Sequence, residues 1–240
     1  MKIGIIGLGS FGSFIAQLCP PSAEVIGFDA HVKTASKNIT LVSLEEVAQA
    51  DIIFLAIPLS AYDDTLRIIK NLVHKDTLIV DICSVKEVPT QKLHTLLPNH
   101  QNLLITHPLF GPQSASQSTK GHTLVVTEAQ GEQADALLSY CENELGLSIK
   151  RITSPEHDKE MATIHALTFF VARTLKESGI HEELLSTPSY KALLELAKLD
   201  GAHSEELFLT IEQGNPYAKH VYTRYLEEAK KLAHRLEDKT

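Results

Sequence analysis

Tryptophan is absent from this 240-residue chain, methionine occurs twice and cysteine three times. The cysteines, Cys19, Cys83 and Cys141, are an odd count set far apart, with none of the close spacings that hold a metal. That pattern speaks against a disulfide framework and against a metal centre, and a cytoplasmic chain with reduced thiols is the simplest expectation. Positive charge is also in deficit. Lys and Arg number 22 against 30 Asp and Glu, a net charge of −8, which argues against nucleic acid or an anionic membrane as the main partner. No apolar run approaches the roughly 18 residues of a membrane span. The short run from Met1 to Gly7 is broken by glycines and does not read as a targeting segment. What remains is ordinary for a globular protein, 43% apolar and 22% charged, at a length that suits one large domain or two modest ones.

The first positive signal is Gly7-Leu8-Gly9-Ser10-Phe11-Gly12. It follows the β-branched run Lys2–Ile6 and opens an apolar helix that Pro20-Pro21 ends. Gly7 permits a tight turn, Gly9 lets backbone approach a pyrophosphate, and Gly12 lets the helix pack against the strand. The helix N-terminus, with Ser10 and Phe11, offers N–H donors and partial positive charge to phosphates. A glycine turn alone is weak. Here a second strand, Glu24 to Phe28, ends in Asp29, 22 positions beyond Gly7, where a dinucleotide site places its ribose-binding carboxylate. A carboxylate there favours NAD and disfavours NADP.

Strand and helix patterns then alternate. Ser43-Leu44-Glu45-Glu46 is a capping box, and the continuous apolar strand Asp51–Ile57 is stopped by Pro58. A helix over 61–72, strand 77–81, a helix to about Leu97, strand 103–105, strand 122–127, helix 132–145 and strand 147–152 follow. Continuous apolar strands suit burial on both faces. The pattern predicts a doubly wound, mostly parallel α/β sheet of the Rossmann type over residues 1–153. At Ser154-Pro155 an N-cap and a first-turn proline announce a long helix to about Ser178. From there residues 154–240 read as an all-helical domain. Its apolar surface between Met161 and Leu175 predicts a homodimer through these helices, and a domain that closes the site.

Ligands bind outside the C-terminal ends of the strands in such a sheet. Ile57 and Pro58, Ser84 and His107 all fall at those ends. In Thr106-His107-Pro108-Leu109-Phe110-Gly111-Pro112-Gln113 the prolines and glycine should stop the strand and hold His107 on a stiff loop. Histidine is the side chain best suited to move a proton near neutral pH. Ser84 reads equally as a helix cap and as a ligand to substrate and cofactor. Lys86 reads as a solvated first-turn lysine.

Three motifs in order resemble one family: Asp81-Ile82-Cys83-Ser84-Val85-Lys86, His107-Pro108-Leu109-Phe110-Gly111-Pro112, and Glu156-His157-Asp158-Lys159-Glu160-Met161-Ala162. Together with the dinucleotide fingerprint they are similar to the prephenate/arogenate dehydrogenases of tyrosine biosynthesis, over nearly the whole chain. The resemblance implies NAD(P)-dependent oxidation of the ring alcohol of a cyclohexadienyl dicarboxylate with loss of the ring carboxylate as CO2. It implies His107 as proton acceptor and Ser84 as a contact to substrate and cofactor. Gln113, neutral and just beyond the histidine loop, tips the reading toward prephenate rather than the amino-bearing arogenate.

Two stretches depart from the family pattern. The family usually has Gln-Ala-Leu-x-His after Met161, where this chain has His165-Ala166-Leu167-Thr168-Phe169. Residues 165 and 169 share one helix face, so either the imidazole has moved by a turn or both are core. The family's carboxylate-binding arginine has no equivalent between Ala192 and Ala202, where Lys198 is the cation on offer for a substrate carboxylate. Other readings are a different small-metabolite dehydrogenase or imine reductase on the same plan, and an NAD-binding regulatory module whose pocket has decayed.

Overall fold

Short runs of Ile, Val and Leu without intervening polar residues can be satisfied only where both sides of a strand are covered, and that is where they lie. In the computed structural model, which describes residues 1–201 and 203–237, the chain divides into two compact units, Met1–Ser154 and Pro155–Thr240. The first unit is built on strands β1 (Lys2–Ile6), β2 (Glu24–Phe28), β3 (Thr40–Leu41), β4 (Ile52–Leu55), β5 (Leu78–Asp81), β6 (Leu103–Pro108), β7 (Thr123–Ala129) and β8 (Ser148–Arg151). They form one sheet in the order β3-β2-β1-β4-β5-β6-β7-β8. All neighbours are parallel except β6 and β7. Helices α1 (Ser10–Leu18), α2 (Leu44–Val47), α3 (Tyr62–Ile69), α4 (Glu87–Leu96) and α5 (Glu132–Asn143) cover the sheet. On one face Ile6, Ile53, Ile79 and Ile105 pack with Val47, Leu66 and Leu93. On the other, Ile52, Leu78, Val80 and Leu104 pack with Ala134 and Leu138 of α5, and Ile5 packs with Ile15 and Ala16 of α1.

The expected capping box is present: the Ser43 hydroxyl accepts from the Glu46 N–H while the Glu46 carboxylate accepts from the Ser43 N–H. Two strands depart from the sequence reading. The short edge strand β3 was not foreseen, because two residues carry no periodicity. And β6 does not stop at Ile105. It runs on through Thr106, His107 and Pro108, paired antiparallel with β7, with a register shift between Ile105 and Thr106. Proline removes one donor but does not bar an antiparallel pairing that never calls on its nitrogen. His107 is therefore held in a strand rather than on a loop.

The second unit is helical: α6 (Ser154–Met161, which begins at the last residue of the first unit), α7 (Thr168–Glu177), α8 (Pro188–Gly201), α9 (Glu205–Gly214) and α10 (Ala218–Glu237). The single helix expected over 155–178 is interrupted by a π-helical turn at Ala162–Leu167. Its small core contains Ala166, Phe169, Ile211 and Ala218. The Ser204 hydroxyl caps α9 by accepting from the Leu207 N–H at 3.2 Å. Asn215 is buried, donating through Nδ2 to the Asp158 carbonyl at 2.8 Å and accepting from the Tyr217 N–H at 2.9 Å. No described helix is long and apolar enough to cross a membrane.

Candidate active site

The sheet order reverses at β1. From there the chain lays β2 and β3 to one side, then returns to lay β4, β5 and β6 on the other. The C-terminal end of β1 is thus the topological switch point where such sheets bind ligands, and it carries the glycine turn. Gly7 has φ +94°, and a β-carbon there would lie 2.3 Å from the Ala56 carbonyl oxygen. A β-carbon on Gly12 would lie 1.9 Å from the Gly7 carbonyl oxygen, whereas one on Gly9 meets nothing within 4 Å. Gly7 and Gly12 are small because the protein presses on them. Gly9 faces open space, as the N-cap of α1 with no side-chain acceptor on the first turn. The exposed Ser10 and half-buried Phe11 follow it, and their N–H groups belong to the turn that lacks intrahelical acceptors. This is a cradle for an anion brought close to backbone.

Asp29, at the end of β2, is already engaged. One carboxylate oxygen accepts from the Leu8 N–H at 2.8 Å, the other from the His31 and Val32 N–H groups at 2.8 and 3.1 Å. Partial burial opposes its ionisation, but these backbone donors and the nearby His31 outweigh that and hold the carboxyl below its ordinary range. A carboxylate has about four acceptor positions, so capacity remains for a ribose hydroxyl. The same residue ties the glycine turn to the loop after β2. Ile57 and Pro58 lie just past β4, with Pro58 opening a 3-10 turn at Leu59–Ala61.

Next along the edge come Ser84 and His107. Ser84 is half-buried three residues past β5, and His107 is 4% exposed in β6. Ser84 does not cap α4, whose N-cap is Lys86. Lys86 overturns the expectation of a solvated lysine, since it is fully buried. Its ammonium donates to the Asp81 carboxylate and to the Thr106 carbonyl. The other Asp81 oxygen accepts from the Tyr62 hydroxyl at 2.5 Å and the Cys83 N–H at 3.2 Å, and the Thr106 hydroxyl donates to the Asp81 carbonyl at 2.8 Å. A run of aromatic rings links α1 to the segment beyond His107. Phe11 and Phe14 are 6.0 Å apart, Phe14 and Phe110 6.4 Å, and Phe110 and His122 5.3 Å. Gln113 lies exposed on the loop after β6.

The remaining candidates are in the helical unit. His165 sits in the π-turn with its ring 4.8 Å from Phe169, which is also 5.0 Å from His203. Burial, then the neighbouring His203 and His157, push the His165 imidazole down to about 4. It is neutral at pH 7 and supplies no positive charge there. The Lys198 ammonium is exposed and committed to Glu195 at 2.8 Å, with Glu182 at 3.9 Å. It lines a cleft of about 490 Å³ with Lys176, Ile180, His181 and Leu194. The structure thus gathers Gly7, Gly9, Ser10, Phe11, Gly12, Asp29, Ile57, Pro58, Ser84 and His107 along one sheet edge, while His165 and Lys198 belong to the other unit. Asp81 and Thr106 stand within the motifs quoted from the sequence but were given no role there, and Tyr62 was missed, although an aspartate ending a fully apolar strand is itself a sign of a buried cation.

A family model described as the nucleotide-binding domain of prephenate dehydrogenase matches residues 18–146, more than half of the chain. Arogenate dehydrogenase 2, chloroplastic, from Arabidopsis thaliana is 27% identical over 233 residues, 91% of this chain and 65% of its own length. The T-protein of Enterobacter agglomerans is 28% identical over 220 residues, 85% of this chain and 57% of its own length. The chain thus spans less than two thirds of these relatives. The crystal structure of prephenate dehydrogenase from A. aeolicus in complex with hydroxyphenyl propionate and NAD+ superposes with a TM-score of 0.72 at 18% identity, covering 99% of this chain and 92% of that one.

Proposed function

The chain belongs to the prephenate dehydrogenase family through its nucleotide-binding domain, and from that membership we propose that it catalyses the NAD-dependent oxidative decarboxylation of prephenate to 4-hydroxyphenylpyruvate, or of arogenate to tyrosine. One observation carries the reading. Ser84, just past β5, and His107, near the end of β6, lie on the same sheet edge as the glycine turn, on the strands next in order after β1 and β4. The residues fit a dinucleotide: Gly9 opens onto free space, α1 brings uncapped N–H groups, and Asp29 retains acceptor capacity for a ribose hydroxyl. Asp29 supports NAD over NADP, since a carboxylate repels a 2′-phosphate. When bound, the nicotinamide supplies the acceptor for a hydride.

In this reading His107 accepts the proton of the ring hydroxyl as hydride leaves the same carbon, which becomes a carbonyl. The bond from the ring to its carboxylate then breaks, CO2 departs, and the electron pair enters the ring and makes it aromatic. The proton returns to the phenolic oxygen. A positioned base contributes typically ~10²–10⁴-fold, and strand β6 gives His107 a stiffer mount than a loop would. Ser84 orients the hydroxyl and the cofactor. Gln113, His165 and Lys198 are candidates for the rest of the substrate, with Lys198 the weakest because Glu195 already holds it. A homodimer through the helical unit is supported by the exposed Tyr225, Leu226, Leu232 and Leu236 of α10. Among the described residues none of the three cysteines forms a disulfide, which suits a reducing, cytoplasmic compartment.

Formation of NADH at 340 nm with prephenate and with arogenate tests the proposal. Turnover of either supports it, and tight NAD+ binding with turnover of neither refutes it. His107→Asn is expected to leave NAD+ affinity within about threefold and lower turnover by ~10²-fold or more; parallel loss of both would make His107 structural.

A further inference from the structure

We propose that Lys86 and Asp81 are positioning residues, a buried ion pair that locks the turn carrying Ser84 to the strand end carrying His107. The inference rests on the reaction proposed above but has its own structural basis. Both side chains are fully buried. Lys86 comes two residues after Ser84, and its ammonium reaches across from the β5–α4 turn to the carbonyl of Thr106, the residue before His107. The reverse link is made as well, because the Thr106 hydroxyl donates to the Asp81 carbonyl. β5 and β6 are paired only as far as Asp81 and Ile105, and the register of β6 slips between Ile105 and Thr106. The β5–β6 ladder therefore gives out just before Ser84 and His107, while β6 stays paired with β7 on its other side. The Lys86–Asp81–Thr106 triangle takes over at that point, with the Tyr62 hydroxyl fixing the carboxylate from α3.

Stability alone does not explain such a group. Desolvating an ammonium and a carboxylate cancels much of their attraction, and apolar residues of similar volume often hold a core as well. What apolar residues lack is direction. An ammonium bonded to both a carboxylate and a carbonyl sets the distance between a turn and a strand end, and these carry the proposed partner hydroxyl and the proposed base.

The test compares the wild type with Lys86→Met and with Asp81→Asn combined with Lys86→Met. The single variant leaves a carboxylate buried without its cation and is expected to fold poorly. The double variant removes both charges and keeps a side chain at 81 for Tyr62 to donate to. The double variant should fold and bind NAD+ within threefold of wild type, with turnover number at least tenfold lower. Amide hydrogen exchange should quicken at least tenfold over residues 82–86 and 105–107 and stay unchanged over Gly7–Gly12. Exchange and turnover both within threefold of wild type would overturn the proposal. So would failure of the double variant to fold, or NAD+ affinity falling in step with turnover, since either assigns the pair to stability. If the wild type itself turns over neither substrate, the functional reading fails, and the exchange pattern still judges the clamp.

Discussion

Two glycines of the same turn should respond in opposite ways to one added methyl group. At Gly12 the new β-carbon would sit 1.9 Å from the Gly7 carbonyl oxygen, with Ala56 Cβ 3.3 Å away. Ordinary contact begins near 3.4 Å, so α1 must lift from β1 by more than an ångström. Overpacking of this kind costs about 1–3 kcal/mol and occasionally more, and a backbone oxygen cannot swing aside, which places the change at the upper end. At roughly 2–4 °C per kcal/mol for a chain of this size, Gly12→Ala should lower the melting midpoint by ~6–12 °C. At Gly9 the β-carbon meets nothing, and φ −62°, ψ −169° is open to alanine. Alanine is the poorer N-cap by about 0.5–1 kcal/mol, while stiffening the unfolded chain returns about 0.4–1 kcal/mol, so the midpoint should move by less than ~2 °C. The methyl group would instead keep a pyrophosphate off the backbone. Losing one charge-assisted hydrogen bond, about 1.5–3 kcal/mol, should weaken NAD+ by about 10- to 100-fold. Calorimetric titration with NAD+ beside scanning calorimetry separates the two effects. If Gly9→Ala bound NAD+ like wild type, or melted as low as Gly12→Ala, the division of labour argued for this turn would be wrong.

Asp29→Asn can satisfy the N–H donors on only one of its two oxygens, so NAD+ affinity should fall and the preference for NAD over NADP should shrink; an unchanged ratio of the two dissociation constants would refute the ribose role. Because the Asp29 carboxyl is held below its unfolded value, its contribution to stability is present above about pH 4 and is lost as pH falls through the lower folded value. Glu212 behaves in the opposite sense. Burial, only partly offset by Arg173, pushes its carboxyl up to about 7, and neither oxygen has a hydrogen-bond partner among the described residues. The folded state then holds a proton that the unfolded state releases from about pH 4.3 upward, so stability falls between there and pH 7. Glu212→Gln should raise the melting midpoint at pH 8 and leave it nearly unchanged at pH 4, and equal shifts at both would contradict the assignment. His165, pushed down to about 4, makes the protein lose stability as pH falls from about 6.5 toward 4; His165→Gln should flatten that acid limb in pH-dependent melting curves, and an unaltered limb would rule His165 out as its source.

The parallel sheet was legible because continuous runs such as Ile52–Leu55 and Leu78–Asp81 have no other comfortable place, and Gly7–Gly12 was legible because its spacing follows from a turn, an approach and a packing contact in that order. The strand end at His107 was misread for a reason that lies in pairing. Pro108 forbids one hydrogen bond, yet whether that bond is wanted depends on β7, which lies about twenty residues further on and runs antiparallel. Lys86 was misread because exposure is not a property of lysine alone, and its burial depends on Asp81, Tyr62 and Thr106 converging from three elements. The π-turn at Ala162–Leu167 likewise leaves no mark in a pattern that reads as helix on either side.

The central place of β1 bears on how the chain is born. Its two neighbours are made one after the other, β2 at residues 24–28 and β4 only at residues 52–55. At roughly 5–20 residues per second of synthesis, β1 therefore waits some seconds with one side unpaired. The wall behind the glycine turn arrives last, since the Ala56 N–H closes onto the Ile6 carbonyl at 2.8 Å and the Ala56 carbonyl is the group that presses on Gly7. A nascent chain halted before residue 56 would own all three glycines and Asp29 and still lack the backing that shapes them. A dinucleotide can thus stabilise the finished sheet, but it arrives too late to guide the first half of it into place.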